Sequence, residues 1–303
     1  MNRNTYTSFS EADMRSFEPE LKIGLLATVN EEGLPHLTLI STLRASTPTQ
    51  VIWGQFTEGL SKKFVRRNPH TAFLIMTLGK ELWRGKANFT HSARQGKEFD
   101  MYNDTPMFRY NAYFGVHTVY YMDLVEHYGR EVLPMGGVVV AAIQTIVART
   151  LARKRGQKDV LNPWTRKLMN KMNNLKFLAY VGADDYPVIV PVIQAQACDS
   201  ERVIFSVSAY ENELEAIPEN TTVAVFGMSL DMEDVLMRGT FQGVRRMRGL
   251  RCGVVGVNWV YNSMPPMPQQ IYPALDIEPV TSFWGKTVAG LSDQEAVANG
   301  PLI

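Results

Sequence analysis

Two cysteines in 303 residues, with no Cys-x-x-Cys pair and no Cys/His cluster, leave this chain without a disulfide framework or a zinc site. Cys198 and Cys252 fall in separate apolar contexts, where reduced cysteines pack as small hydrophobes. Net charge is also lacking. The formal value is +1, so nothing pulls the whole molecule toward nucleic acid or a membrane, and neither partner is expected. The histidines, His36, His70, His91, His117 and His127, show no HExxH or paired metal spacing, and no metal is expected. There is no GxSxG and no GxGxxG suited to a dinucleotide, so no catalytic residue is assigned. The opening MNRNTYTSFSEADMRSFEPE has no apolar core of a signal peptide. With two reduced cysteines, that points to a cytoplasmic protein. A long charge-free apolar run is missing too, because Gln144 and Arg149 interrupt 133–155. That segment is predicted to be a helix starting near Gly136–Gly137 and buried on one side. A surface-lying membrane anchor with its basic end at headgroups is the alternative.

What is present is ordinary globular composition, 45% hydrophobic and 20% charged, in a chain long enough for two domains. The chain also repeats itself. LATVNEEGLPHL (26–37) matches LAYVGADDYPVI (178–189), with Pro35 and Pro187 standing 152 residues apart. The same offset carries Val51-Ile52 onto Val203-Ile204, Asn68 onto Asn220, Ala72 onto Ala224 and Met76 onto Met228. Ten identities over 26–76 are few, and the unbroken register makes the case for an internal duplication. After a two-residue shift RGKANF (84–89) meets RGTFQG (238–243), and YMDLVE (121–126) is matched to ALDIEP (274–279) as the last strand of each copy.

Each copy reads as several short strands with one helix before the fourth, which fits a small closed barrel rather than a parallel doubly wound sheet. In the first copy strands are predicted near 23–30, 36–43, 50–56, 71–78, 82–90 and 115–126, with a polar helix near 91–103. In the second they fall near 176–182, 187–197, 202–209, 222–229, 234–244 and 270–278. Ser10 is placed as an N-cap before EADMRSF. The fold class is therefore mainly β with helical insertions, as two tandem barrels. The boundaries are 1–126, a helical basic connector 127–175, and a degenerate second barrel 176–303. From Arg149 to Lys171 there are eight Lys/Arg and one acid, while 199–235 holds nine acids and one Arg. Docking of these two regions on each other is the conservative account, and capture of an external polyanion the sharper one.

The stretch TEGLSKKFVRRNP places Ser61, Lys62, Lys63, Arg66 and Arg67 behind a Gly-Leu turn. Its counterpart YENELEAIPENT carries Glu211, Glu213, Glu215 and Glu219. A turn entering a helix, with a hydroxyl and two lysines, accommodates a phosphate dianion, and the acidic copy repels one. A solvated basic helix face explains the same residues. Two further groups are candidates for a pocket. One is Arg109, Tyr110 and Tyr113 in the aromatic run 103–123, and the other is the cluster Arg245, Arg246, Arg248 and Arg251. Core packing and a solvated face are their plainer readings.

The order LLATVNEEGLPHLTLIS, a strand, then GLSKKFVRRNPHTAFLIM resembles the FMN-binding split β-barrel family related to pyridoxamine 5′-phosphate oxidase. The resemblance covers about residues 15–126 and, more faintly, 176–280. It implies six-stranded Greek-key barrels with FMN in the cleft between two of them. Here the second barrel is supplied by the same chain, an intrachain pseudo-dimer, and a homodimer stays open beside it. By that resemblance Thr38, Leu39, Ile40 and Ser41 line the flavin, and Trp53, Gly54 and Gln55 lie beside its ring and ribityl chain. Ser61, Lys62 and Lys63 match the phosphate turn after a one-residue slip. Thr38–Leu43 lacks the basic residues of true pyridoxamine-phosphate oxidases, and Arg44 is the candidate substitute. Their Arg- and His-bearing substrate segment is missing as well, so pyridoxamine phosphate is not the expected substrate. The implied function is an FMN-dependent oxidoreductase with small-molecule electron donor and acceptor. A non-catalytic flavin, deazaflavin or haem binding protein is the alternative, and a cofactor-free interaction module the third reading.

Overall fold

The computed structural model describes residues 4–56, 59–105, 115–154, 158–231, 233–262, 269–273, 282–283 and 286–287. Residues 1–273 form one compact unit and 274–303 another. The described part of the second unit is a hairpin, β16 (Ser282–Phe283) with β17 (Lys286–Thr287).

The first unit opens with α1 (Glu11–Phe17), whose Ser10 forms the expected cap. Its hydroxyl accepts from the Asp13 amide at 3.1 Å, and the Asp13 carboxylate accepts from the Ser10 amide at 3.0 Å. Seven strands follow: β1 (Lys22–Val29), β2 (Pro35–Leu39), β3 (Arg44–Thr47), β4 (Gln50–Gln55), β5 (His70–Thr77), β6 (Glu81–Ala93) and β7 (Thr118–Val132). Helix α2 (Leu60–Val65) precedes β5, and α3 (Lys97–Asp104) precedes β7. The second copy has β8 (Leu175–Val181), β9 (Pro187–Pro191), β10 (Gln196–Ala197), β11 (Arg202–Ser206), β12 (Thr222–Met228), β13 (Asp234–Met247) and β14 (Leu250–Asn262). Between the copies lie α4 (Met135–Ala152) and α5 (Pro163–Asn170), and α6 (Glu211–Glu215) precedes β12.

Both sheets are antiparallel and share one strand order. The first runs β2-β1-β5-β6-β7-β4-β3, and the second β9-β8-β12-β13-β14-β11-β10, with β15 (Gln269–Tyr272) added on β14. These are the two tandem split barrels read from the sequence. The expected second strands are both interrupted: 36–43 ends at Leu39, with an unexpected β3 following it, and 187–197 breaks into β9 and β10. The Ile40 amide bonds Gly24 at 2.7 Å and Leu43 then turns back onto Ile40, while Val192 onto Lys176 and Ala195 onto Val192 repeat the pattern. A Cβ on Gly24 would stand 2.2 Å from the Ile40 carbonyl oxygen, so this crossing requires glycine.

Two features of the expected alignment are corrected. The last strand of the second barrel is β14, which pairs β13 and β11 as β7 pairs β6 and β4; residues 274–279 lie outside the described residues. The two-residue shift is also absent. His70 pairs Asn88 and Thr222 pairs Thr240, so the 152-residue offset runs on through β6 and β13. Ladder irregularities directly after Lys86 and after Arg238 confirm that these two residues correspond. The counterpart of Arg84 is Leu236.

Strand alternation builds three cores. Leu26, Phe73 and Ile75 point into the first barrel, and Leu178, Val223 and Val225 into the second. Leu25, Ala27, Leu74 and Met76 turn outward and meet Phe177, Ala179, Phe226 and Met228 in a core shared by both barrels. Strands buried on both faces read as continuous apolar runs, which is why strict alternation was missing from the sequence.

The basic connector docks on the acidic stretch as expected, chiefly through backbone and ring donors rather than its cations. The Lys158 amide donates to Glu201 at 2.6 Å, the Leu161 amide to the Ser200 carbonyl at 2.8 Å and the Trp164 ring N–H to Glu233 at 3.0 Å. Lys171 meets Glu233 at 3.9 Å. The remaining paired glutamates are taken elsewhere: Glu219 by Arg245, Glu211 and Glu215 by Arg251, and Glu213 by Arg84. The cluster Arg245–Arg251 thus spends Arg251 on the acidic helix and Arg245 on Glu219 beyond its end.

Candidate functional site

Helix α2 is only six residues long, so its sequence period decides which cations enter the molecule. Ser61, Lys62 and Val65 are buried on one face; Lys63, Arg66 and Arg67 are exposed on the other. Arg67 pairs with Glu31, and Arg66 donates to the Tyr120 hydroxyl at 3.1 Å. The run of four cations is therefore not one patch. Lys62 alone of the four goes inward, where it is 7% exposed beside Ser61 at 1%. The Ser61 hydroxyl shares a 2.7 Å hydrogen bond with that of Thr38 on β2. The Lys62 ammonium lies back over the turn, 3.2 Å from where a Cβ on Gly59 would sit.

The facing wall comes from the second barrel. His36 on β2 is buried between Phe64, 5.3 Å away, and Tyr261, 5.8 Å away. Tyr261 stacks on Trp259 at 5.4 Å, and the Arg238 guanidinium lies 4.0 Å over the Trp259 ring. Burial, then the charges of Arg238 and Lys62, hold the His36 pKa down at about 3. Among the described residues its Nδ1 is buried with no hydrogen-bond partner. Burial also lowers the Arg238 pKa, opposed by the charge of Glu32. These elements thus bring together two hydroxyls, a lysine, an arginine and a neutral imidazole. Each carries a hydrogen-bond donor, and of the mutually bonded Ser61 and Thr38 hydroxyls one donates to the other and one is left for an oxyanion.

This imidazole gives a pH dependence of stability. The folded pKa lies below the ordinary 6.5, so the unfolded chain takes up the proton first. The contribution is complete above about pH 6.5 and is lost as pH falls toward 3, at up to about 1.4 kcal/mol per unit. Urea unfolding between roughly pH 7 and 5 should show this slope in the parent chain and a shallower one in His36→Asn.

Of the other residues expected here, Leu39 packs against the shared core and Ile40 belongs to the first barrel's interior. Ser41 sits half-buried in the turn that follows β2. Trp53 is fully buried and stacks on Tyr120 at 4.0 Å and 8°. The Gly54 amide and carbonyl both bond the Thr42 hydroxyl, at 2.9 and 3.0 Å. Gln55 accepts from the Tyr120 hydroxyl at 2.9 Å. Arg44 lines a different cavity of about 90 Å³ with Glu18, Glu20, Lys22, Thr42, Tyr102 and Thr105. Burial and then Arg44 hold the Lys22 pKa at about 8 there. Thr38, Ser61 and Lys62 are brought together, while Arg44 and Lys63 are placed apart from them. Arg109, Tyr110 and Tyr113 lie outside the described residues. His36, Arg238, Trp259 and Tyr261 were not expected. Burial of His36 next to Pro35, a repeat-defining residue, was the one available signal.

The equivalent place in the other half is already filled. At the Ser61 position stands Glu213, and at the Leu236 position stands Arg84, which is 1% exposed. Arg84 donates to both Glu213 oxygens at 2.8 and 3.0 Å, to Glu131 at 2.7 and 3.2 Å, and to the Ile189 carbonyl at 2.8 Å. An internal carboxylate occupies the position that Ser61 leaves open. Among the described residues no group of three or more His, Cys, Asp or Glu could hold a metal. Cys198 and Cys252 are buried, free, and raised in pKa by burial.

No protein-family model and no curated protein matches the sequence. Solved structures do. An FMN-binding protein from Syntrophomonas wolfei is 14% identical and aligns 39% of this chain with 82% of its own, at a TM-score of 0.34. An F420 reductase is 15% identical, over 39% of this chain and 98% of its own, at 0.32. A NimC/NimA family protein from Clostridium acetobutylicum is 12% identical, over 39% and 82%, at 0.31. Each match spans about one barrel, and what the cleft does rests on its own residues.

Proposed function

We propose that the cleft between the barrels binds FMN, with its phosphate at Thr38, Ser61 and Lys62, and that the protein is an FMN-dependent oxidoreductase. The observation that carries this reading is the buried, partnerless Nδ1 of His36 in the field of Lys62 and Arg238. A neutral donor and two cations facing one cleft suit a phosphate, whose oxygens accept from all of them. FMN rather than a bare phosphate follows from the family resemblance of the Ser61-Lys62 turn and from the aromatic wall of Trp259 and Tyr261. When bound, the flavin supplies the electron-transfer chemistry. The chain's own residues anchor the phosphate, wall off the cleft and keep His36 neutral. The second barrel provides in cis what a partner subunit would otherwise bring. The Arg84–Glu213 pair excludes a second phosphate, giving one flavin per chain.

Purified protein should take up added FMN, show a flavin absorption spectrum at one equivalent, and bleach with dithionite. A colourless protein that leaves FMN unbound at micromolar concentration contradicts the proposal.

A further inference from the structure

Helix α4 is docked on the second barrel by its small residues. Val138, Ala141, Ala142, Thr145 and Ala148 are buried, and Gln144 turns inward to the hydroxyls of Ser206 and Ser208 at 2.5 and 3.0 Å. The opposite face is apolar and open. Val139 is 54% exposed, Val140 52%, Ile143 59%, Val147 45% and Leu151 40%. Such a contiguous stripe is an interaction surface rather than scattered surface hydrophobes. The helix has a mean hydropathy of 1.6, yet only 28% of it is buried. No Asp or Glu occurs between Glu131 and Asp159.

A second element brings charge to the same place. The β13–β14 hairpin turns through Arg248 and Gly249, both at positive φ, 49° and 87°. Met247 and Leu250, which close that turn, pack into the cluster containing Ala148 and Ala152 near the end of α4. This sets exposed Arg248, at the turn, near exposed Arg153 and Lys154, while Arg246 lies on the other face of the hairpin in a cavity with Glu215 and Glu219. Among the described residues Arg153, Lys154 and Arg248 have no carboxylate partner, whereas Arg245 and Arg251 on the same hairpin are paired.

We propose that the outer face of α4, with this cationic rim, docks on an anionic lipid surface. The apolar stripe would enter the headgroup–acyl boundary while Arg153, Lys154 and Arg248 meet lipid phosphates. A second copy of the chain would cover the stripe but would bring the same unpartnered cations and no acid. The lipid surface satisfies both features.

The test is cosedimentation of the full chain with vesicles of phosphatidylcholine alone and of phosphatidylcholine with phosphatidylglycerol. The expected result is binding to the anionic vesicles that weakens with salt. Ile143→Asp with Val147→Asp should weaken it about tenfold or more, and charge reversal at Arg153, Lys154 and Arg248 should abolish the preference for phosphatidylglycerol. Ile143→Trp keeps the face apolar and guards against misfolding; its fluorescence should be quenched by brominated lipid in those vesicles. Absence of vesicle binding by the parent chain, or an unquenched tryptophan, overturns the proposal. So does a dimer in sedimentation equilibrium that Ile143→Asp dissociates, since the face would then belong to a second copy.

Discussion

Lys62→Met should weaken FMN about ten- to a hundredfold while leaving riboflavin nearly unchanged. A charge-assisted hydrogen bond is worth about 1.5–3 kcal/mol, which spans that range of affinity. Riboflavin lacks the phosphate, so it reports any general damage to the cleft. Lys63→Met supplies the contrast. Lys63 stands one residue further on but is exposed on the other face of α2, and its loss should change FMN affinity by no more than about twofold. Fluorescence quenching of both flavins against the three proteins checks this. Equal losses at Lys62 and Lys63 would show that a diffuse basic field, not a built site, attracts the ligand.

Arg84→Ala should cost about 3–5 kcal/mol of unfolding free energy, the effect of leaving a buried ion pair half made. The arginine is 1% exposed and its two carboxylate partners, Glu131 and Glu213, are 19% and 25% exposed at the side chain. Removing it leaves two like charges facing each other against the shared core. It also removes a side chain that ties β6 of the first barrel to β9 and α6 of the second. Chemical denaturation measures the loss. A change below about 1 kcal/mol would mean that water already reaches these carboxylates and that the pair does not hold the barrels together.

The barrels were legible because the repeat preserves what the fold needs. Pro35 and Pro187, Ala72 and Ala224, Met76 and Met228 stand at equivalent places in two sheets of equal strand order. β14 was not legible. It begins in RRMRGLRC, which reads as a basic surface, and the turn at Arg248-Gly249 makes a two-residue hairpin where the first copy inserts α3. The basic turn at Ser61-Lys62 was visible as chemistry, but its inward face was not: a 3.6-residue period separates Lys62 from Lys63 without saying which one is buried. Arg238, Trp259 and Tyr261 were out of reach for a different reason. Their meeting with His36 depends on how two sheets pack, and no local pattern encodes that.

The central claim is a single phosphate in a cleft that both halves build. A crystal structure of the protein grown with FMN tests it most directly. The expected density places the phosphate against Ser61 and Lys62 within hydrogen-bond distance of His36 Nδ1, with Arg84 and Glu213 still joined and no ligand beside them. Flavin seated against Arg84 or Glu213, or bound with its phosphate in solvent away from His36, would contradict it.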